Sequence, residues 1–359
     1  MSITKSSTPD LRSIFDKVQG WASGAILLQV IGVADATGLL KYLHALKQPQ
    51  TVAQITAGTK LVERYVQETL HALAAGAIIQ YDEKTGCFSM WPGAGAVLAD
   101  ETHPLFMAGW PDFAARLTSV RDGVVKAMKE GGGVAFSEYK MGNTLNRINA
   151  PSSNALLVKK WLPGVPGMVK RMESGITVAD VGCGSGHATI TMAKAFPKSK
   201  FTGFDVDDAS LVLARSQAVK AGVKNAEFVL AGAEDLPANS FDFVLTFDVI
   251  HDIPHPLPAL QSLQKSLKPG GIYVMVEPKC SAHLGDNVKN GLGMMYGISL
   301  LHCMTQSLAR GGIGLGSCWG PDQAKQYGLE AGFKHFVTLP INNAANTFFG
   351  LSNDQPPKL

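Results

Sequence analysis

The run VADVGCGSGHA, residues 178–188, sets Gly182, Gly184 and Gly186 at alternate positions where a β-rich stretch gives way to a helical one. Without side chains there, the polar body of a nucleotide-like cofactor can lie against the main chain beside a helix amino end. Nineteen residues beyond Gly186 stands Asp205. It closes the next expected strand, where a carboxylate can accept hydrogen bonds from both hydroxyls of a ribose. A GxGxG run by itself also fits nicotinamide and flavin binders. The longer GxGxxG fingerprint is not met, because His187 occupies the position of its third glycine.

The surrounding chain has the elements to position such a turn. ITVADVG, KFTGFDV, AEFVLAG, FDFVLTFDV and GGIYVMVEP read as strands, and FKHFVTLPI and NTFFGLS as two last ones. Helical patterns at 187–196, in ASLVLARSQAVKAG and in PLPALQSLQKSL lie between them. Such alternation predicts an α/β fold, a mostly parallel sheet with helices on both faces and its ligand at the C-terminal strand ends.

The front third reads differently. Apolar residues at near-helical spacing cover 11–36, and helical signals return at 37–46, 51–57 and 61–75, with Thr51 as a cap and Gly58 as a stop. AIIQY and CFSM then form a hairpin around DEKTG. Helices followed by a ribbon predict a winged-helix-like module over 1–100. Its eight basic residues are matched by eight acidic ones, and Arg64 on the candidate recognition helix faces Glu63 and Glu68. Phosphate neutralisation would require an excess of positive charge, so the balance argues against nucleic acid. Residues 101–175, with helices expected near 104–129 and 152–173, read as a bridge and pocket wall. The glycines at 131–133 suit either a tight approach or a linker.

Composition narrows the class. The 359 residues are 46% hydrophobic and 17% charged, with a formal charge of +3, so a large core forms and no polyanion or membrane surface is indicated. Five scattered cysteines without a C-x-x-C pair suggest neither a disulfide framework nor a thiolate zinc cluster. No apolar stretch reaches the roughly 20 residues of a membrane span, and no signal segment is apparent. A cytoplasmic protein is expected. His255, four residues from His251 but among prolines, lacks a third ligand, and no metal is expected.

VADVGCGSG, Asp205, AGAEDLP at 231–237 and LKPGGIYVMVE at 267–277, in this order, resemble class I S-adenosylmethionine-dependent methyltransferases. The resemblance covers 176–340. It implies a seven-stranded Rossmann-like sheet, S-adenosyl-L-methionine as cofactor and S-adenosyl-L-homocysteine as product. Asp180, Gly182, Gly184 and Gly186 would then bind the cofactor, with Gly182 and Gly184 beside its methionine portion. Asp205 would take the ribose and Val206 part of the adenine ring, while Ala233 and Glu234 would contact adenine. Asp248 would lie near the sulfonium or cap the helix that follows.

The whole plan also resembles small-molecule O-methyltransferases of plants and bacteria, which dimerise through the front end. A bacterial branch of winged-helix regulators fused to methyltransferases is nearer still, through GGGVAFSEY at 131–139, DVIHDIPHP at 248–256 and GGIGLGSCWG at 311–320. By that likeness His251, followed by Asp252, is a base or substrate orienter, and Glu277 orients it. The glutamate expected within 309–322 is replaced by a glycine-rich run. Residues 280–320 suggest a substrate lid. Tyr139, Trp161, Asn287, Tyr296, His302 and Trp319 are the candidate substrate contacts, each with ordinary packing as its alternative. The resulting expectation is methyl transfer to a small aromatic or heterocyclic metabolite by a homodimer. A cofactor- or metabolite-sensing transcriptional regulator is the alternative.

Overall fold

The computed structural model describes residues 10–356 and divides into two compact units, Met1–Ala115 and Arg116–Leu359. The division falls beyond the expected edge at 100, because the helix Trp110–Ser119 begins in the first unit.

In the first unit Asp10 caps the helix Leu11–Ala36 by accepting the Ser13 N–H at 2.7 Å. Leu39–Ala45, Val52–Thr59 and Glu63–Ala75 follow as helices. Thr51 and Gln54 close a capping box at the start of Val52–Thr59. The ribbon is β1 (Ile79–Asp82) paired antiparallel with β2 (Cys87–Met90). Leu40, Leu43, Ile55, Val66, Leu70 and Phe88 make the core. Arg64 pairs with Glu68, so the cation of the candidate recognition helix is already neutralised. The long first helix keeps an apolar stripe open, with Leu11 86%, Phe15 55% and Trp21 70% exposed.

In the second unit, β3 (Thr177–Val181), β4 (Lys200–Asp205), β5 (Ala226–Leu230), β6 (Phe241–Phe247), β7 (Leu267–Pro278), β8 (His335–Thr338) and β9 (Asn346–Ser352) form one sheet in the order β5-β4-β3-β6-β7-β9-β8. β3 to β7 run parallel, and β9 enters antiparallel between β7 and β8. The apolar residues on the two sheet faces pack into two cores, one around Val244, Leu260 and Met275 and one around Met168, Phe201 and Val274. This order reverses between β3 and β6, and ligands of open α/β sheets bind at such a switch.

The expected helix near 104–129 is two helices, Trp110–Ser119 and Arg121–Glu130, broken at Val120. The one expected at 152–173 is Thr144–Leu156, a π turn Leu157–Trp161 and Met168–Ser174. Pro163 stands just after the π turn, where its missing N–H cannot continue the ladder. The insertion after β7 holds Leu284–Lys289, Gly293–Ile298, a second π turn Ser299–Cys303 and Met304–Ala309. Among the described residues no single helix is long and apolar enough to cross a membrane. Leu11–Ala36 and Leu39–Ala45 meet that requirement only as a pair bent by 74°.

Candidate active site

The parallel pairing brings the ends of β3, β4, β6 and β7 to one edge, where the predicted cofactor residues stand. The turn after β3 uses its three glycines in two ways. A Cβ on Gly186 would meet Phe228 at 2.5 Å, and one on Gly182 would meet Val249 at 2.4 Å, so both serve close packing. Gly184 has φ +52 and open space beyond its α-carbon. Its N–H donates to Asp205 Oδ2 at 2.7 Å, and Asp205 Oδ1 accepts from the Asp207 N–H at 2.9 Å. Burial, partly offset by these bonds, raises the Asp205 carboxyl. Val206 beside it is 57% exposed. An open main-chain turn, a carboxylate tied to it and an uncovered apolar side chain fit an adenosine-bearing cofactor.

Asp180 stands near the end of β3, just before the turn. It is buried beneath the turn, accepts the Thr189 hydroxyl at 2.5 Å and is pushed up to about 6 by burial. It braces the start of the helix His187–Ala195. Ala233 is buried in the short turn Ala233–Asp235, and Glu234 in the same turn is exposed. Asp248 has φ +52 and accepts from Asn346 Nδ2 at 2.6 Å. Burial pushes it up to about 7, and the neighbouring His251 works against that rise. Asn346 was not singled out in the sequence. Only the antiparallel entry of β9, which sets Asn346 opposite Pro278, carries it to this edge.

His251 lies in the turn Ile250–Asp252 after β6, and Glu277 is near the end of β7. Both are buried, and His251 Nδ1 stands 2.5 Å from Glu277 Oε2. Glu277 also accepts the Ile250 N–H at 3.0 Å and the Trp319 indole N–H at 3.1 Å. Nδ1 faces Glu277, and Nε2 on the other side of the ring stands 3.3 Å from Asp252 Oδ1. Burial opposes a charge on His251, but Asp252 and Glu277 outweigh it and raise the imidazole well above its ordinary range. The glycine-rich run explains how Trp319 arrives. A Cβ on Gly312 would strike Pro254 Cα at 2.4 Å, and the Gly316 N–H donates to the His251 carbonyl at 3.2 Å. The glycines let the strip lie flat on the histidine loop, which places an indole donor on Glu277 although the second expected glutamate is missing.

The other candidate substrate residues are largely engaged inside the protein. Tyr139 is buried and donates its hydroxyl to the Leu301 carbonyl at 2.7 Å. Asn287 exchanges bonds with Ser281 and donates to the Tyr296 hydroxyl at 2.9 Å, which pins the insertion. His302 packs edge-on against Tyr139 at 4.9 Å, and burial lowers its pKa. Trp161 packs against Phe247 and Phe348, its indole nitrogen buried without a hydrogen-bond partner. Gly133 approaches the Thr305 carbonyl so closely that a Cβ would not fit, so the triple glycine ends in a packing contact.

The strand order and the glycine turn at its switch point are those of a Rossmann-like fold, and one segment of the chain is similar to known methyltransferase domains. Residues 172–328 match the family model described as a methyltransferase domain, and residues 24–99 match that of an Rv2258c-like winged HTH domain. The demethylmenaquinone methyltransferase of Listeria monocytogenes serotype 4a (strain HCC23) is 31% identical over 141 residues. That match covers 38% of this chain and 59% of the relative, so the chain spans little more than half of that relative's length. Human N-acetylserotonin methyltransferase in complex with SAM superposes with a TM-score of 0.71 at 15% identity, covering 98% of this chain and all of the other. The mitomycin 7-O-methyltransferase MmcR gives 0.68 at 14%, covering 95% and 98%. At these identities the likeness to solved structures is one of fold.

Proposed function

We propose that the protein transfers a methyl group from S-adenosylmethionine to a hydroxyl of a small aromatic or heterocyclic acceptor. When bound, that cofactor supplies an electrophilic methyl group on a sulfonium. The Gly184 turn, Asp205 and Val206 hold its adenosine, and Asp248 offers a carboxylate toward its positive end. The single observation that carries the reading is the buried His251–Glu277 pair at 2.5 Å, at the sheet edge that bears the glycine turn. His251 Nε2 takes the acceptor's proton as the oxygen attacks, while ionised Glu277 holds Nδ1–H and stabilises the imidazolium. Trp319 and the Ile250 amide fix Glu277, so the ring is held in one orientation. The apolar insertion after β7, pinned by Asn287 and Tyr296, encloses the acceptor, with Tyr139, His302 and Trp161 shaping its walls. The exposed stripe on Leu11–Ala36 pairs two copies of the chain.

Turnover of a metabolite library with methyl-labelled S-adenosylmethionine tests this reading, with product mass and fragmentation reporting the acceptor atom. His251→Ala is expected to retain cofactor affinity and lose about 100-fold or more in turnover, as removal of a general base does. Undiminished turnover in that variant would remove His251 from the mechanism.

A further inference from the structure

Three donor atoms of different kinds converge on the imidazole edge that Glu277 leaves open. His251 Nε2, a carboxylate oxygen of Asp252 and Cys303 Sγ all lie within 4.8 Å of one another. Nε2 and Asp252 Oδ1 are 3.3 Å apart, and Oδ1 is buried without a hydrogen bond of good geometry.

The spacing suits a metal. Nitrogen and oxygen ligands about 2.0–2.1 Å from a tetrahedral zinc stand about 3.3 Å from each other. The histidine–aspartate edge therefore already has that length. Cys303 Sγ lies within 4.8 Å of both groups, and a zinc–sulfur bond of about 2.3 Å would complete the third contact. Glu277 on the far ring nitrogen completes the carboxylate–histidine arrangement that orients metal-bound imidazoles. The thiol is carried on the π turn Ser299–Cys303, and such turns recur at functional sites.

We infer that His251, Asp252 and Cys303 bind zinc or a similarly thiophilic divalent cation, with the fourth coordination position open. On binding, Cys303 releases its thiol proton to solvent, as does Nε2 where it carries one, and nitrogen, oxygen and sulfur each donate a lone pair. Occupation of Nε2 removes the proton acceptor, so the cation also inhibits methyl transfer. Inhibition rests on the function proposed above, whereas the binding itself does not.

The experiment uses the full chain stripped of metal by a chelator and titrated with zinc against a chromophoric competitor, in parallel with cobalt spectroscopy. Cys280 and Cys318 are neighbouring free thiols that could compete for the metal, so every protein carries Cys280→Ser and Cys318→Ser. One equivalent of zinc and a thiolate-to-cobalt charge-transfer band are expected. Loss of a group that merely orients a ligand costs about 10–100-fold in affinity, so Cys303→Ser should weaken zinc by about 100-fold or more and abolish the band. Asp252→Asn should weaken zinc and keep the band. Unchanged cofactor affinity and melting temperature show that the variants are folded. Absence of stoichiometric binding, or a zinc affinity and cobalt spectrum indifferent to Cys303→Ser, would overturn the inference. Loss of transferase activity without metal binding would do so as well.

Discussion

Trp319 donates its indole N–H to the same oxygen of Glu277 that holds His251, from 42 residues further along the chain. The carboxylate is buried and collects a backbone amide, an indole and an imidazole. These contacts satisfy a polar group in a place where an unpaired one would be costly.

Trp319→Phe keeps the ring and deletes that donor. A hydrogen bond to a charged group contributes about 1.5–3 kcal/mol, so chemical denaturation should register a loss of that order. Turnover is expected to fall about tenfold while cofactor affinity holds. Unaltered stability and turnover would mean that the indole only fills space.

Gly184 and Gly186 should respond oppositely to alanine. Gly184→Ala carries the left-handed backbone penalty of about 1–2 kcal/mol but meets no atom of the protein. It should fold and bind S-adenosylmethionine weakly in calorimetry. Gly186→Ala drives a methyl into Phe228 and Ala214, adding about 1–3 kcal/mol of overpacking to the same penalty. Its thermal midpoint should fall clearly below that of Gly184→Ala.

Asp248 sets a pH dependence. Its folded carboxyl titrates at about 7, so it is protonated below that value and charged above it. Affinity for the cationic cofactor should therefore strengthen as pH rises from 6 to 8, and Asp248→Asn should flatten that profile. The stability contribution has the reverse sign. Between the unfolded pKa near 4 and the folded one near 7, the native state holds a proton the unfolded chain releases, so this contribution declines as pH rises. Calorimetric titration and denaturation across that range measure the two effects separately.

The apolar stripe of Leu11–Ala36 predicts oligomeric state. Phe15→Asp with Trp21→Asp, both at exposed positions, should leave helix content and melting unchanged and halve the mass seen by light scattering. A full-length protein already monomeric at micromolar concentration would refute the pairing.

Much of the fold was legible because its signals are local. Alternating strands and helices, the glycine turn and the hairpin each declare themselves within about a dozen residues. His251 and Glu277 were singled out through the family resemblance, and the structure sets them in the turn after β6 and near the end of β7. Trp319, Asn346 and Cys303 carry no such mark. Trp319 acquires its role only when glycines lay a distant strip against the histidine loop. Asn346 reaches Asp248 across 98 residues by strand pairing, and Cys303 is brought in by a π turn inside an insertion without clear periodicity. Residues such as Asn287 and Tyr139 were drawn toward substrate by type, whereas folding uses their polar atoms to tie the insertion down.

The antiparallel entry of β9 also orders events in time. Among the described residues β8 pairs with no strand but β9, and Asp248 receives the Asn346 amide only once β9 is in place. During synthesis the ribosome therefore delivers the glycine turn, the histidine loop and the insertion well before the strand that completes their edge. A nascent chain halted at residue 340 would carry His251 and Glu277 and still lack the Asn346 partner of Asp248.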